Sequence, residues 1–334
     1  MIDVIIATCD RINKALDLAR SLLETGESIN RVIIVDSSTE SAAVKLDTNK
    51  IYIIKTRHKN QPYQRFVGYK ASSAELLVFL DDDMEIVDQT VFTNTYQAFL
   101  DNKIVAVAYN FNEKHSDTSL SEVPGTLFNR NHSGKRRIIN FLTGYPNPKE
   151  GKYGLCGHRG LKPDSGKFIE LISGGAFAVR SEILYKEFNF QLFDLYEEKL
   201  GKGEDGILGY TLSKKGSIVN YNQLCFQHND QKNSTYSTDL FSMSKRVAFS
   251  RLYLSLEKSR LDKRKYFWAI MHYHYYMFWR FLGLFLSFII KPNPKRKDVL
   301  NGTVNGWRLA SHFTYDHNLT RQYYWQNEAQ CELS

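Results

Sequence analysis

The sequence predicts an α/β protein, a mostly parallel Rossmann-like sheet flanked by helices, and three observations carry that expectation. Leu76, Leu77, Val78, Phe79 and Leu80 form an unbroken apolar run that stops at Asp81, Asp82 and Asp83. Five consecutive apolar residues suit a strand covered on both faces, as in a sheet packed between helices. Short apolar runs alternate with helically spaced ones through the first hundred residues, the signature of βαβ units. Polar and charged side chains gather just after those runs, at the sheet edge where such folds bind ligands.

Residues 4–8 read as the first strand, and residues 13–25 place Ala15, Leu16, Leu18, Ala19, Leu22 and Leu23 at helical spacing ahead of Gly26. A second strand over 31–35 runs into Asp36, Ser37 and Ser38. A third, over 51–54, precedes a helix near 63–72, and the fourth is the run tipped by aspartates. A helix over 89–100 and a strand over 104–108 continue the pattern. Residues 110–167 are rich in Asn, Ser, Gly, Pro and basic residues and lack periodicity. They read as a functional loop region, where specificity is expected to reside. Strand character returns over 168–172, followed by Gly174 and Gly175, whose missing side chains let a backbone approach a ligand. A helix over 203–212 carries Glu204 and Asp205 in its first turn, where carboxylates also simply complement the helix dipole. The last sheet strand covers 217–226 and ends near His228.

The 334 residues, 43% hydrophobic and 24% charged, suffice for one large domain or a domain with an appendage. Cys9, Cys156, Cys225 and Cys331 lie far apart with no CxxC pair, which indicates neither a disulfide framework nor a zinc knuckle. The N-terminus lacks the basic start and apolar length of a signal peptide, so a reduced, cytoplasmic protein is expected. The net charge of +8 is concentrated. Residues 241–300 hold 13 Lys and Arg against 3 Asp and Glu, which leaves the rest of the chain slightly acidic.

In an extended chain Asp81 and Asp83 share one side and Asp82 takes the other. Carboxylates held that close repel unless a cation or a donor-rich ligand sits between them. A hard divalent cation, Mg²⁺ or Mn²⁺, bound through carboxylates and phosphate oxygens suits this chemistry.

The ordered set Thr8-Cys9-Asp10-Arg11, Asp36-Ser37-Ser38, Gln64-Arg65-Phe66-Val67-Gly68, Asp81-Asp82-Asp83, Gly174-Gly175, Glu204-Asp205 and His228 resembles the family 2 glycosyltransferases of the GT-A fold. These are inverting enzymes that use a nucleotide-diphosphate sugar and a divalent metal. The resemblance covers roughly residues 1–230. It implies that Thr8, Asp10 and Arg11 line the nucleotide pocket, that Asp36 hydrogen-bonds the base and that Arg65 lies near the diphosphate. Asp81 would face the ribose and sugar, with Asp82 also among the donor-binding positions, and Asp83 would hold the metal. Gly174 and Gly175 would sit beneath the donor sugar. Asp205 would be the general base, although Ile207 stands where the family often has a further acid, so Glu204 stays open as the base. His228 is either a third metal ligand, as in some enzymes of this fold, or a packed histidine. A UDP-sugar is the expected donor. Processive synthases of the family carry Gln-x-x-Arg-Trp, whereas this chain has Gln322-Tyr323-Tyr324-Trp325, which favours single addition.

Residues 267–290 are strongly apolar and aromatic, with His272, Tyr276, Arg280, Gly283 and Ser287 forming one polar or small stripe on a helix. Basic clusters bracket the segment: Lys258, Arg260, Lys263, Arg264 and Lys265 before it, Lys291, Lys295, Arg296 and Lys297 after it. Such a helix suits the headgroup region of an anionic leaflet. An ordinary core helix and a membrane span are the other readings, the span opposed by Arg280 and two histidines near the middle.

The expected organisation is a GT-A catalytic domain over residues 1–235, with a nucleotide-binding half at about 1–108 and an acceptor-side half at about 109–235. A basic, aromatic, helical region over 236–334 would associate with membrane. The expected function is metal-dependent, inverting transfer of one sugar to a glycan acceptor on a polyprenyl-diphosphate carrier, for a surface polysaccharide of the O-antigen or capsule kind, at the cytoplasmic face of the membrane. A sugar nucleotidyltransferase would require a glycine-rich basic loop after the first strand, where this chain has Thr8-Cys9-Asp10-Arg11. A membrane-tethered scaffold on a decayed transferase fold is the non-catalytic reading, opposed by the three aspartates together with Asp205. Nucleic acid is not an expected partner, because the basic segment is too aromatic for a groove reader.

Overall fold

The computed structural model describes residues 1–25, 28–39, 48–113, 148–160, 168–228 and 239–334. Most of the region 110–167 to which specificity was assigned lies outside the described residues.

The described residues form a nine-stranded sheet in the order β3-β2-β1-β4-β8-β6-β9-β5, with β7 added against β9. Strands β1 (Ile2–Thr8), β2 (Ile29–Asp36), β3 (Ile51–Lys55) and β4 (Leu76–Asp81) are mutually parallel, as the alternation of runs predicts. Beyond β4 the sheet is mixed, and the expectation of a mostly parallel sheet fails there. Strand β8 (Ala176–Arg180) lies antiparallel to both β4 and β6 (Ile104–Glu113), while β9 (Ser217–His228) runs parallel to β6. The short strands β5 (Met84–Ile86) and β7 (Phe168–Ile169) pair antiparallel with β9. Direction is set by which edge a returning strand finds, and residue pattern alone does not encode it.

The apolar runs split by parity, as period-2 geometry requires. Val4, Ile6, Val78 and Leu80 face a core shared with helices α1 (Ile12–Glu24) and α3 (Val91–Ala98). Ile5, Leu77 and Phe79 face the opposite core, with α2 (Gln61–Ala71), α4 (Gln191–Glu197) and the final helix α9 (Leu319–Leu333). Helix α2 begins at Asn60, whose side chain accepts the Tyr63 N–H, and Pro62 occupies the first turn, where no N–H is required.

Helices α6 (Leu240–Leu261), α7 (Tyr266–Ile290) and α8 (Pro294–Ser311) follow α5 (Glu204–Ser213) and build a third core. There Ala248, Leu252, Leu256, Tyr273 and Met277 meet Ile207 and Tyr210 of α5. Among the described residues no helix is long and apolar enough to cross a membrane. Helix α9 returns to the sheet: Trp325 is buried against Tyr63 and Phe193 and donates its indole N–H to Asp194. The four cysteines are free thiols.

Candidate active site

The parallel strands deliver their C-terminal ends to one edge, and the sequence-picked side chains stand there. Register places Ala7 beside Asp81, so Thr8 at the end of β1 reaches Asp82 and donates its hydroxyl across 2.6 Å. Arg11 then bridges the second and third aspartates, 2.5 Å from Asp82 and 3.2 Å from Asp83. Strand alternation does not carry past Asp81, where β4 ends and a turn begins, so the expected separation of Asp82 from Asp83 is not kept: one guanidinium holds both. Asp10 adopts a left-handed φ of 58°, donates its N–H to Ser38 Oγ at 2.7 Å, and lies 3.3 Å from Lys59. At the end of β2, buried Asp36 accepts from Lys55 at 2.5 Å and from the Ser38 N–H at 2.8 Å.

Asp81, Asp83 and His228 converge, each offering a ligand atom within 4.8 Å of the others. The pairing of Met84 with His228 across β5 and β9 brings the imidazole there, with Nε2 3.0 Å from Asp83 Oδ1. Burial pushes the Asp81 carboxyl up to about 6, against the pull of Arg65. Burial opposes the charge on Asp83 too, but His228 and Arg11 more than offset it and hold that group below the usual aspartate value. Two carboxylates and an imidazole form a donor set that fits Mn²⁺ well and Mg²⁺ acceptably.

Buried Arg65 ties this cluster to the second group of acids. It donates to Asp81 at 2.8 Å and to the Gly174 carbonyl at 2.5 Å, and lies 3.6 Å from Glu204. Gln61, in the first turn of α2, also donates to Asp81, at 2.7 Å. Gly174 and Gly175 lie between the two acid groups. A Cβ on Gly175 would fall 2.4 Å from Met84 Cε, and one on Gly174 would fall 3.3 Å from Asp205 Oδ2.

Glu204 and Asp205 open α5 after Gly203, whose φ of 86° requires glycine or strain. The Asp205 carboxylate accepts N–H groups from Gly174 at 3.0 Å and Gly206 at 2.8 Å, and the forked guanidinium of Arg159 donates to both its oxygens, one at 2.9 Å. Burial alone would raise Asp205, but Arg159 and these N–H donors bring it below the usual aspartate value. Burial and the Asp205 charge drive Glu204 the other way, upward, while Tyr196 donates its hydroxyl to it.

The sequence-picked residues at the strand ends stand on this edge, with the glycine pair beside it, while Arg65 reaches it from α2 and Asp205 from the first turn of α5. Five partners were missed: Lys55, Lys59, Gln61, Tyr196 and Arg159. Gln61 had a usable signal, since the Asn60-Gln61-Pro62 helix start fixes its position. Arg159 had none, because it sits in the region without periodicity.

The strand ends, the Asp81–Asp83–His228 group that could hold a metal ion and the second acid pair across two glycines thus stand together. Residues 3–158 match the family model described as Glycosyl transferase family 2. The chain is a glycosyltransferase, and its mixed sheet with flanking helices fits a GT-A arrangement. Among solved structures it is similar to S. aureus TarS residues 1–349, at 14% identity and a TM-score of 0.48, covering 92% of this chain and 80% of that one. The same protein in complex with UDP-GlcNAc gives 14% and 0.46, covering 90% and 79%. The mannosyltransferase PcManGT from Pyrobaculum calidifontis, in complex with GDP-Man and Mn²⁺, gives 13% and 0.44, covering 99% and 86%. None of the curated proteins matches the sequence. The family match includes Thr8, Asp36, Arg65 and the three aspartates and ends before Gly174, Asp205 and His228.

Proposed function

We propose that the protein transfers one sugar, with inversion, from a nucleoside-diphosphate sugar to a hydroxyl of a glycan acceptor carried on a lipid diphosphate at a membrane surface. One observation carries the catalytic part: the Gly174–Gly175 pair separates the Asp81–Asp83–His228 cluster from Asp205. A donor laid over these glycines has its diphosphate at the cluster and its anomeric carbon toward Asp205. Asp81, Asp83 and His228 would hold a divalent cation, which supplies charge stabilisation for the departing diphosphate. Arg65 and Gln61 orient Asp81, and Arg11 orients Asp82 and Asp83. The acceptor oxygen bonds to the anomeric carbon as the bond from that carbon to the β-phosphate oxygen breaks. The bonding pair leaves with the nucleoside diphosphate, and the hydroxyl proton passes to Asp205.

Helix α7 supports the membrane part. A helix of a water-soluble domain normally turns its apolar face inward. Here the polar or small stripe shares the inward side with Ala269, Tyr273, Met277 and Leu284: Tyr276 and Gly283 are buried, and His272, Arg280 and Ser287 are half-buried. Phe267, Trp268, Met271, Tyr275, Phe278, Phe285, Ile289 and Ile290 point outward, with Trp268 69% and Ile290 74% exposed. Exposed Lys263, Arg264 and Lys265 at one end, and Lys291, Lys295 and Lys297 at the other, suit anionic headgroups. An acceptor anchored in that leaflet would be presented to the catalytic edge, and a surface-glycan pathway on the cytoplasmic face follows from such an acceptor.

The test is calorimetric titration of a nucleotide-sugar panel into the purified protein with Mn²⁺, Mg²⁺ or EDTA. Metal-dependent binding of one donor, followed by release of its nucleoside diphosphate, is expected. A panel without any metal-dependent nucleotide binding would sink the proposal.

A further inference from the structure

Asp205 as it stands cannot take a proton from an acceptor. A carboxylate offers about four lone-pair sites, and each oxygen of Asp205 already receives two donors. Oδ1 takes the Gly206 N–H and one arm of Arg159, and Oδ2 takes the Gly174 N–H and the other arm. The two N–H donors belong to backbone and stay. Arg159 is the one side-chain donor on Asp205 among the described residues, and its side chain is 31% exposed.

The local structure places that guanidinium deliberately. Tyr153 and Arg159 pair across a small antiparallel bridge, closed by the Gly154 N–H donating to the His158 carbonyl at 2.8 Å. The turn between them is seated on α6, where Ser255 Oγ accepts the Cys156 N–H at 2.8 Å and Arg251 donates to the Cys156 carbonyl. Gly206 makes room for the outer end: a Cβ there would lie 2.9 Å from Arg159 Nε, from its Nη2 and from Tyr153 Cε2. The root of Arg159 is thus anchored, and its tip lies in a space kept open by a glycine.

We infer that Arg159 is a positioning residue that plugs the acceptor side of Asp205, denying the base to water until an acceptor displaces the guanidinium. This rests on the assignment of Asp205 as base in the proposed transfer. With the plug removed, a water oxygen bonds to the anomeric carbon of the donor as the bond to the β-phosphate oxygen breaks. The bonding pair leaves with the nucleoside diphosphate, and the water proton goes to Asp205. The plug therefore suppresses donor hydrolysis and costs little in transfer, because the acceptor's own polar groups take over the guanidinium.

The experiment uses the full chain with MnCl₂ and, from UDP-glucose, UDP-GlcNAc and GDP-mannose, the donor that calorimetry shows to bind most tightly. Nucleoside-diphosphate release is followed without acceptor. Arg159→Ala and Gly206→Ala, which crowds the guanidinium without removing it, should each raise hydrolysis about tenfold or more, up to the 10²–10⁴-fold that general base catalysis contributes. Arg159→Lys should stay near the wild-type rate, and Arg159→Ala combined with Asp205→Asn should return to it. Unchanged or reduced hydrolysis in both single variants, with donor binding retained, would overturn the plug, as would a rise that survives in the double variant. Wild-type transfer by Asp205→Asn alone would instead overturn the base assignment beneath it.

Discussion

Nε2 of His228 lies 3.0 Å from Oδ1 of Asp83, although one residue ends the last long strand of the sheet and the other follows its fourth. The contact exists because β5 folds back from the aspartates and pairs with β9, setting Met84 opposite His228. It adds an imidazole nitrogen to a pair of carboxylates, a mixed oxygen-nitrogen group that could hold a metal ion.

Asp83→Ala removes one arm of that site and the group that orients the imidazole. Metal-dependent donor binding should then fall below detection by calorimetry, while residual metal-independent nucleotide binding persists. His228→Ala keeps both carboxylates and should weaken Mn²⁺ more than Mg²⁺, since imidazole suits the softer ion. Equal losses for the two ions would argue that His228 only braces Asp83.

Asp205→Asn keeps the shape and loses the basicity. Donor affinity should hold within about twofold, while transfer drops about 10²- to 10⁴-fold. Glu204→Gln separates the two acids: held up by burial and the neighbouring charge, Glu204 is engaged by Tyr196 and Arg65. Its loss should lower stability more than it lowers turnover. Equilibrium unfolding beside single-turnover kinetics would read both.

Gly175→Ala puts a methyl 2.4 Å from Met84 Cε, 3.2 Å from Phe111 Cζ and 3.5 Å from Asp81 Oδ2. Met84 can bend, but the phenyl ring gives less easily. A cost of about 1–3 kcal/mol in stability is expected, and, if the donor lies over these glycines as proposed, weaker donor binding with it. Thermal unfolding and calorimetry on the same sample check both parts.

Asp262, just past the end of α6, reports on acid stability. Burial would raise its pKa, but donation by Lys258 at 2.7 Å, by Tyr210 and by Lys214 at 2.9 Å brings it to about 2. A carboxyl lowered on folding adds stability above its unfolded value of 3.8, and that stability is lost as pH falls toward 2. Asp262→Asn should cost about 1–2 kcal/mol at neutral pH and flatten the acid limb of the unfolding curve. An unchanged acid limb would place the acid-sensitive groups elsewhere.

The outward face of α7 makes a physical claim about lipid. Trp268→Ser with Phe278→Ser should reduce co-sedimentation with anionic vesicles, with donor binding untouched. Changing Lys263, Arg264 and Lys265 to Gln should cost about 1 kcal/mol each and remove much of the salt dependence. Binding that ignores both sets of changes would reassign this face to a protein partner.

Much of the fold was legible because its first half obeys local rules. The runs at Ile2–Thr8 and Leu76–Asp81 are continuous since both faces are covered, and α1 shows its buried stripe at Ala15, Leu16, Ala19 and Leu22. The convergence of Asp81 and Asp83 agrees with strand alternation, but β4 ends at Asp81 and the turn after it lets Arg11 hold Asp82 beside Asp83. The amphipathic character of α7 was equally plain, but periodicity is silent on which face turns inward. Packing decided that: the small and polar stripe meets the turn at Cys156 and His158, through His272 and Tyr276.

By itself, then, the sequence determined which strands are buried, where they end and which acids stand at those ends, because each depends on neighbours along the chain. Only the tertiary structure decided that β8 enters antiparallel, that His228 reaches Asp83, and that Arg159 closes over Asp205. Those depend on register and on contacts between segments far apart in the chain, which no residue pattern records until the sheet has closed around them.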